Sequence, residues 1–92
     1  MSKYSINKLP SDILESTAHN VAGLRKEMKW TQKDLEYKSG VSYGSIKRFE
    51  RSGKISFESL LKIAEALNRL DEFETILLPT DNKRLEELFK SD

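Results

Sequence analysis

Short segments with helical spacing, bounded by single turn residues, are the feature that most constrains the fold of this chain. Thr31, Ser42 and Ser56 each stand where a hydroxyl can cap the first turn of a helix. Gly40 and Gly53 stand where a helix can end in the left-handed conformation that glycine adopts at little cost. No six-residue window alternates between apolar and polar residues as a half-buried strand does. The sequence therefore predicts an all-α protein.

Apolar residues recur at helical spacing in five segments, and each segment predicts one helix. The segments are residues 12–29, 32–39, 43–51, 57–67 and 70–77. Ile46 and Phe49 are expected to be the buried pair of the third helix, and Pro79 closes the fifth because it cannot donate the next backbone hydrogen bond. The expected buried face of the fourth helix consists of Phe57, Leu60, Leu61, Ala64 and Leu67. A short tail helix over 82–90 completes the prediction.

A chain of 92 residues supports one hydrophobic core, so we expect one helical domain over 11–78, between an N-terminal arm, 1–10, and a C-terminal tail, 79–92. With no cysteine and one histidine, the chain offers no disulfide, no thiol catalysis and no convincing metal or cofactor site. Its longest apolar run, Ile76 to Leu78, is far shorter than the roughly 20 residues that cross a bilayer. The start of the chain lacks the apolar core of a signal peptide, so we expect a cytoplasmic protein with no membrane partner.

The net charge of +1 conceals an uneven distribution along the chain. Residues 21–54 carry nine cations and four anions, a net of +5, whereas residues 55–92 carry five cations and nine anions, a net of −4. Residues 1–20 balance at two of each. Electrostatic partners depend on local charge, so the basic middle segment favours an anionic partner, although such a cluster also arises by chance.

Two short helices joined by a glycine-containing turn, with a basic surface, meet the physical requirements of a helix-turn-helix that recognises DNA. A helix fits the major groove of DNA when one of its sides is exposed and the other is held by apolar residues. Ile46 and Phe49 supply the apolar side of the third helix. The expected partner is double-stranded DNA.

Residues 24–67 resemble the Xre-type family of phage-repressor-like helix-turn-helix proteins. The resemblance covers about half of the chain and lies in the segments TQKDL, SGVS, SIKRFE and IAEAL. It implies a compact five-helix, lambda-repressor-like DNA-binding domain, followed here by the short C-terminal tail helix. It also implies a transcriptional regulator, acting as a repressor, that binds near-palindromic DNA as a homodimer.

The resemblance implies DNA contacts for nine residues. Gln32, in the first turn of the second helix, corresponds to a residue that contacts a DNA phosphate and braces the recognition helix, although a surface glutamine is ordinary in itself. Tyr43, Gly44 and Arg48 correspond to positions that face base edges, and Arg48 can form a bidentate pair with guanine. Phosphate contacts are expected from Ser42, Ser45, Lys47, Arg51 and Lys54.

Some of these assignments have alternatives. Tyr43 is equally consistent with a core aromatic residue. Gly44 costs about 1 kcal/mol relative to alanine inside a helix, so it indicates close approach to DNA or to the second helix, unless it is there by chance. Lys26 and Lys29, near the end of the first helix, are further candidates for phosphate contact.

Arg25 and Glu50 correspond to the positions at which many family members form a buried ion pair between the first and third helices. The resemblance therefore implies a structural role for both residues. Glu36 departs from the family, whose members usually have alanine there, so that the second and third helices approach closely. We expect either different helix packing at Glu36 or a side chain that points to solvent.

The fifth helix is expected to carry the dimer interface on its apolar face, which equally suits a cap on the core. This face consists of Leu70, Phe73, Ile76 and Leu77. Residues 69–92 resemble a narrower group, the HipB-like antitoxins encoded beside HipA-like kinase toxins, through an acidic helix, a stop at 77–79 and a leucine-rich tail. That resemblance implies a HipA-like toxin partner at the acidic end and tail, around Leu85, Leu88 and Phe89.

Two other classes of function compete with DNA binding. An enzyme is disfavoured because His19 is the only histidine and the carboxylates form no paired motif. A helical adaptor that binds protein and has lost DNA binding is disfavoured by the basic segment 21–54.

Overall fold

The computed structural model describes residues 8–80, and all regular structure in this part of the chain is helical. Four α-helices follow one another: α1 is Pro10–Glu27, α2 is Gln32–Ser39, α3 is Tyr43–Ser52 and α4 is Phe57–Ala66. A 3-10 helix, Leu70–Phe73, follows α4. None of these helices is both long and apolar enough to cross a bilayer. The prediction of an all-α fold is confirmed for the described residues.

Serine hydroxyls begin α3 and α4 as the sequence predicts. Ser42 accepts a hydrogen bond from the backbone N–H of Ser45 at 3.1 Å, and Ser56 accepts one from that of Ser59 at 3.0 Å. Each bond satisfies one of the N–H groups that lack a partner in the first turn of a helix. The starts of α3 and α4 are therefore determined locally by the sequence.

Thr31 and Asp34 form a reciprocal capping box at the start of α2. The Thr31 hydroxyl accepts from the N–H of Asp34 at 3.0 Å, and the Asp34 carboxylate accepts from the N–H of Thr31 at 2.8 Å. The backbone and hydroxyl hydrogen bonds from Thr31 hold the pKa of Asp34 below its usual value. At α1, the Asp12 carboxylate accepts from the N–H of Leu9 at 2.9 Å, so the helix begins at Pro10.

The core lies where α1 packs on α3 and where α2 packs on both α3 and α4. Its fully buried large side chains are Leu35, Ile46, Phe49 and Ile63. The predicted pair of Ile46 and Phe49 is therefore confirmed. Val41, which follows the turn at Gly40, is also buried in this core.

The predicted buried face of α4 is only partly right. Ala64 and Leu67 are buried, but Phe57 is 57% exposed. Phe57 is the first residue of α4 and lies at the edge of the core, where its ring meets that of Phe73 edge-on at 6.0 Å. Ile63, which was not assigned to the buried face, is completely buried.

The prediction of a fifth α-helix over 70–77 is wrong. After the 3-10 helix the chain continues in turns, and Leu77 has a φ of 55°, in the left-handed region. Its side chain is 95% exposed, and Leu70 and Ile76 are exposed as well. Because short helices depend on packing for their stability, a segment that buries so little apolar surface does not extend into an α-helix.

Several sequence predictions lie outside the described residues. These are the tail helix over 82–90, the toxin-docking residues Leu85, Leu88 and Phe89, and most of the N-terminal arm. The division of the chain at residues 10 and 78 stays a prediction.

Gly40 and Gly53 end α2 and α3 with φ values of 81° and 83°. A Cβ on Gly40 would meet nothing within 4 Å. A Cβ on Gly53 would lie 2.8 Å from the backbone carbon and oxygen of Leu14 in α1. The turn between α3 and α4 therefore lies directly against the α1 backbone, and a side chain at position 53 does not fit.

Alanine substitutions at Gly40 and Gly53 should lower the free energy of unfolding by different amounts. Gly40→Ala introduces only left-handed strain and should lower the free energy of unfolding by about 1–2 kcal/mol. Gly53→Ala adds overpacking against α1, for a total of about 2–5 kcal/mol. Urea unfolding followed by circular dichroism measures both values. Equal losses in the two variants would contradict the close contact with Leu14.

Candidate nucleic-acid interface

Helix α3 has one buried side and one exposed polar side. Ile46 and Phe49 are at most 1% exposed and attach the helix to the core. The exposed positions of α3 include five of the expected DNA-contacting residues: Gly44, Ser45, Lys47, Arg48 and Arg51. Ser42 before α3 and Lys54 after it are exposed too. The side of α3 that is free for a ligand is therefore the basic side.

Arg25, Glu50 and Gln32 join α1, α3 and α2 in one network. The Nε and Nη2 atoms of Arg25 donate to the Glu50 carboxylate at 2.8 and 3.0 Å, and Nη1 donates to the Trp30 carbonyl at 2.7 Å. Both ionic side chains are only 9% exposed. The structure thus brings Arg25 and Glu50 together in a bidentate pair, the geometry in which an arginine holds a carboxylate most firmly.

Gln32 is the first residue of α2 and donates its amide to Glu50 at 2.9 Å. The side chain expected to brace the recognition helix is therefore bonded to a residue of α3. One of its two amide N–H groups is used in this bond, which leaves the other for an external acceptor.

Two opposing effects act on the pKa of Glu50. Burial raises it, but hydrogen bonds from Arg25 and Gln32, together with the charges of Arg25 and Lys26, outweigh burial and hold the pKa below its usual value of 4.5. Glu50 therefore remains ionised, as the ion pair requires.

Tyr43, the first residue of α3, is half-buried. It is therefore neither a core residue nor a fully exposed side chain. The ammonium groups of Lys33 and Lys47 lie over its ring, 4.5 and 5.2 Å from the centroid. Such cation–π contacts restrict the positions of exposed lysines. Lys33 was not assigned to the site from the sequence, although its place next to Gln32 in the first turn of α2 is a signal that points to it.

The Glu36 side chain does not point freely to solvent, which was one of the two arrangements expected for it. Its carboxylate accepts a hydrogen bond from the backbone N–H of Tyr43, the first residue of α3, at 3.1 Å. The side chain therefore bridges α2 to the start of α3. A carboxylate here also interacts favourably with the partial positive charge of the helix N-terminus.

Gly44 is exposed, and an added Cβ would meet nothing within 4 Å. Close packing against α2 is therefore excluded as the reason for this glycine. Approach of an external molecule to the α3 backbone stays a prediction.

Arg48 and Lys54 face a small cleft of about 170 Å³ at the start of α4. The remaining residues that line it are Ser45, Ile55, Ser56 and Ser59. Two cations, serine hydroxyls and a helix N-terminus make this cleft suitable for an anion.

An apolar groove of about 800 Å³ lies away from these cations, between α1 and α4. Phe73 and Ile76, two of the four residues assigned to the dimer interface, line it together with Phe57. Leu70 and Leu77 do not line it. The four residues therefore do not form the single helical face that the sequence predicted.

His19 is exposed on α1 and lines the apolar groove. Within residues 8–80, no group of three or more histidine and carboxylate side chains could hold a metal ion.

Lys26 and Lys29, the further candidates for phosphate contact, are exposed near the end of α1, and Lys29 has a φ of 62°.

A comparison with protein families gives a match over most of the described residues. A family model described as helix-turn-helix matches residues 21–73, which include all of α2, α3 and α4. No curated protein and no solved structure matches the chain.

The ion pair should make the stability of the domain sensitive to acid. The folded-state pKa of Glu50 lies below 4.5, so its contribution to stability is present above pH 4.5 and is lost as the pH falls through that lower pKa. Glu50→Gln should lower the free energy of unfolding at pH 7 by about 3–5 kcal/mol, because Arg25 stays buried without its anion. Denaturant unfolding at pH 7 and pH 3 should show a smaller pH dependence in the variant.

Glu58→Gln is the matched control for this experiment. The Glu58 carboxylate is exposed and lies 3.9 Å from Lys62, so its loss should change stability at pH 7 by less than about 1 kcal/mol. If Glu50→Gln were as stable as this control, the proposed contribution of the buried pair would be wrong.

Proposed function

The chain belongs to the helix-turn-helix family of DNA-binding regulators, and we propose that it binds a specific double-stranded DNA sequence and represses transcription there. Helix α3 enters the major groove while α2 lies across the sugar-phosphate backbone. The observation that carries the proposal is the exposed side of α3, where Lys47, Arg48 and Arg51 lie opposite the buried residues Ile46 and Phe49.

Phosphate contacts come from both ends of this surface. At one end, the cleft beside Arg48 offers the cation of Lys54, serine hydroxyls and the N-terminus of α4. At the other, the first turn of α2 offers its backbone N–H groups and the free amide N–H of Gln32. Because Glu50 holds Gln32, the first turn of α2 keeps a fixed position relative to α3.

Base contacts come from Tyr43 and Arg48, at the start and in the middle of α3. Arg48 can donate two hydrogen bonds to a guanine, and Tyr43 offers a ring to a thymine methyl group or to a sugar. Gly44 between them lets the duplex approach the α3 backbone. Ser42 and Ser45 contact phosphate with the exposed parts of their hydroxyls, although Ser42 also caps α3.

We propose that the protein acts as a homodimer, because a single domain offers few base contacts and a two-fold dimer reads two half-sites about one helical turn apart. Phe73 and Ile76, at the apolar groove, are the proposed interface, with Leu70 and Leu77 beside them. Light scattering at micromolar concentration tests it: a monomeric mass in the presence and absence of the bound duplex would rule it out.

Selection of bound duplexes from a random pool, followed by titration at several salt concentrations, tests the function itself. For a DNA-binding protein that neutralises several phosphates, the logarithm of the binding constant falls linearly with the logarithm of the salt concentration, with a slope of about −0.9 per phosphate. A protein-binding adaptor would enrich no sequence and bind no duplex. A reporter placed behind the selected sequence then measures repression.

Arg48→Ala should reduce discrimination between DNA sequences without unfolding the protein. Loss of a bidentate guanine contact should reduce the preference for the selected duplex over an unrelated one by roughly fivefold to 150-fold. The melting temperature should not change, because the Arg48 side chain is exposed. Lys62→Ala, which removes a positive charge from α4, is the control and should leave the preference intact. Equal preferences in the two variants would contradict the role of Arg48.

Gly44→Ala should have opposite effects on stability and binding. Alanine is favoured over glycine inside a helix, and the position has room for a Cβ, so the free energy of unfolding should rise by about 0.5–1 kcal/mol. Affinity for the selected duplex should fall about tenfold or more, because the methyl group keeps the α3 backbone from the duplex. A variant that is stabilised and binds as tightly as the wild type would show that DNA does not approach this backbone.

A further inference from the structure

The apolar groove between α1 and α4 leaves large hydrophobic side chains uncovered. Among the residues that line it, Ile13, Leu14, Phe57 and Ile76 are each between 42 and 57% exposed. These side chains are neighbours across one groove of about 800 Å³, and not single apolar residues scattered over the surface. An apolar group that enters the groove removes their surface from water, which favours binding.

The sequence that follows the described residues carries one group of apolar side chains. Within residues 81–92, which we call the tail segment, the apolar residues are Leu85, Leu88 and Phe89. Their spacing of three and four residues places them on one face of a helix, where they extend over about 6 Å, roughly one turn. The tail segment is therefore expected to have one apolar face, which a single short helix cannot bury by itself.

The tail segment is attached close to the groove. Ile76, which lines the groove, lies nine residues before Leu85. Residues 81–84 alone can span roughly 13 Å when extended, so the connection is long enough for the chain to turn back. Tethering also gives the tail segment an effective concentration in about the millimolar range at the groove of its own chain. A second copy at micromolar concentration competes poorly with a tethered segment.

We propose that the tail segment binds in the groove of its own chain, with Leu85, Leu88 and Phe89 against the exposed apolar residues of α1 and α4. Phe73 and Ile76 line the same groove and belong to the proposed dimer interface. The tail segment and a second copy therefore exclude one another there, so the bound tail weakens the dimer. This consequence for the dimer rests on the proposed function, whereas binding of the tail segment does not.

A spin label on the tail segment tests where it binds. The chain has no cysteine, so Ser91→Cys provides a single site for a nitroxide, which broadens the NMR signals of nearby amide groups. The amide signals of Leu14 and Leu60, which line the groove, should lose most of their intensity. The signal of Tyr37 in α2, which does not line the groove, should be unchanged. A mixture of isotope-labelled chain without the nitroxide and unlabelled chain with it reports contacts between copies, and should show no broadening.

Two double variants of the full chain test the role of the apolar face. Leu85→Gln with Leu88→Gln makes the face polar and should restore the signals of the groove residues. Glu86→Gln with Glu87→Gln introduces the same two residues without removing an apolar side chain, and should leave the broadening as in the wild type. Light scattering over a range of concentrations should give a dimer dissociation constant about threefold to tenfold lower for the leucine variant, because its groove is free. Circular dichroism establishes that each variant is folded.

Several outcomes would overturn the proposal. Groove signals that are no broader than that of Tyr37, or that stay broad in the leucine variant, would show that the apolar face does not bind there. Equal broadening in the mixed sample would assign the groove to the tail segment of a second copy. A dissociation constant that is the same in both variants would reject the effect on the dimer. If every sample is monomeric, the proposed homodimer is wrong, and the broadening still decides whether the tail segment binds.

Discussion

The ion pair between Arg25 and Glu50 is the interaction on which the rest of the domain depends. Three of the four α-helices within residues 8–80 meet at it, because Arg25 belongs to α1, Glu50 to α3, and Gln32 of α2 donates to the same carboxylate. The guanidinium also donates to the Trp30 carbonyl in the turn between α1 and α2. A lysine has no such planar arrangement of donors and could not make these bonds together. Arg25 therefore joins α1 to α3 and to the turn before α2, in addition to the core contacts of Ile46 and Phe49 that attach α3.

Local chemistry made much of the fold predictable from the sequence. The hydroxyl caps at Thr31, Ser42 and Ser56 and the glycines at the ends of α2 and α3 act within a few residues, so their effects can be derived without knowledge of the tertiary structure. The buried face of α4 depends instead on where its neighbours lie. Spacing alone therefore assigned Phe57 to the core and left out Ile63.

The candidate site shows the same division between local and long-range information. The exposed basic side of α3 follows from helical spacing once Ile46 and Phe49 are buried. The bridge from Glu36 to the N–H of Tyr43 could not be predicted, because it joins residues of two helices whose crossing the sequence does not give. Likewise, the 3-10 helix after α4 replaces an α-helix because the apolar residues of that segment find too little surface to pack against, which their spacing does not reveal.

Independent caps have a consequence for the speed of folding. Because α2, α3 and α4 each carry their own start signals, most of their hydrogen bonds join residues close in sequence, and chains with such local contacts fold within microseconds to milliseconds. The main exception is the contact between Arg25 and Glu50, which are 25 residues apart in the sequence. The entropy lost in closing a loop grows only slowly with its length, so this step is a modest barrier. Docking of α1 onto a preformed α2–α3 unit should therefore be the slowest event in the folding of the described domain.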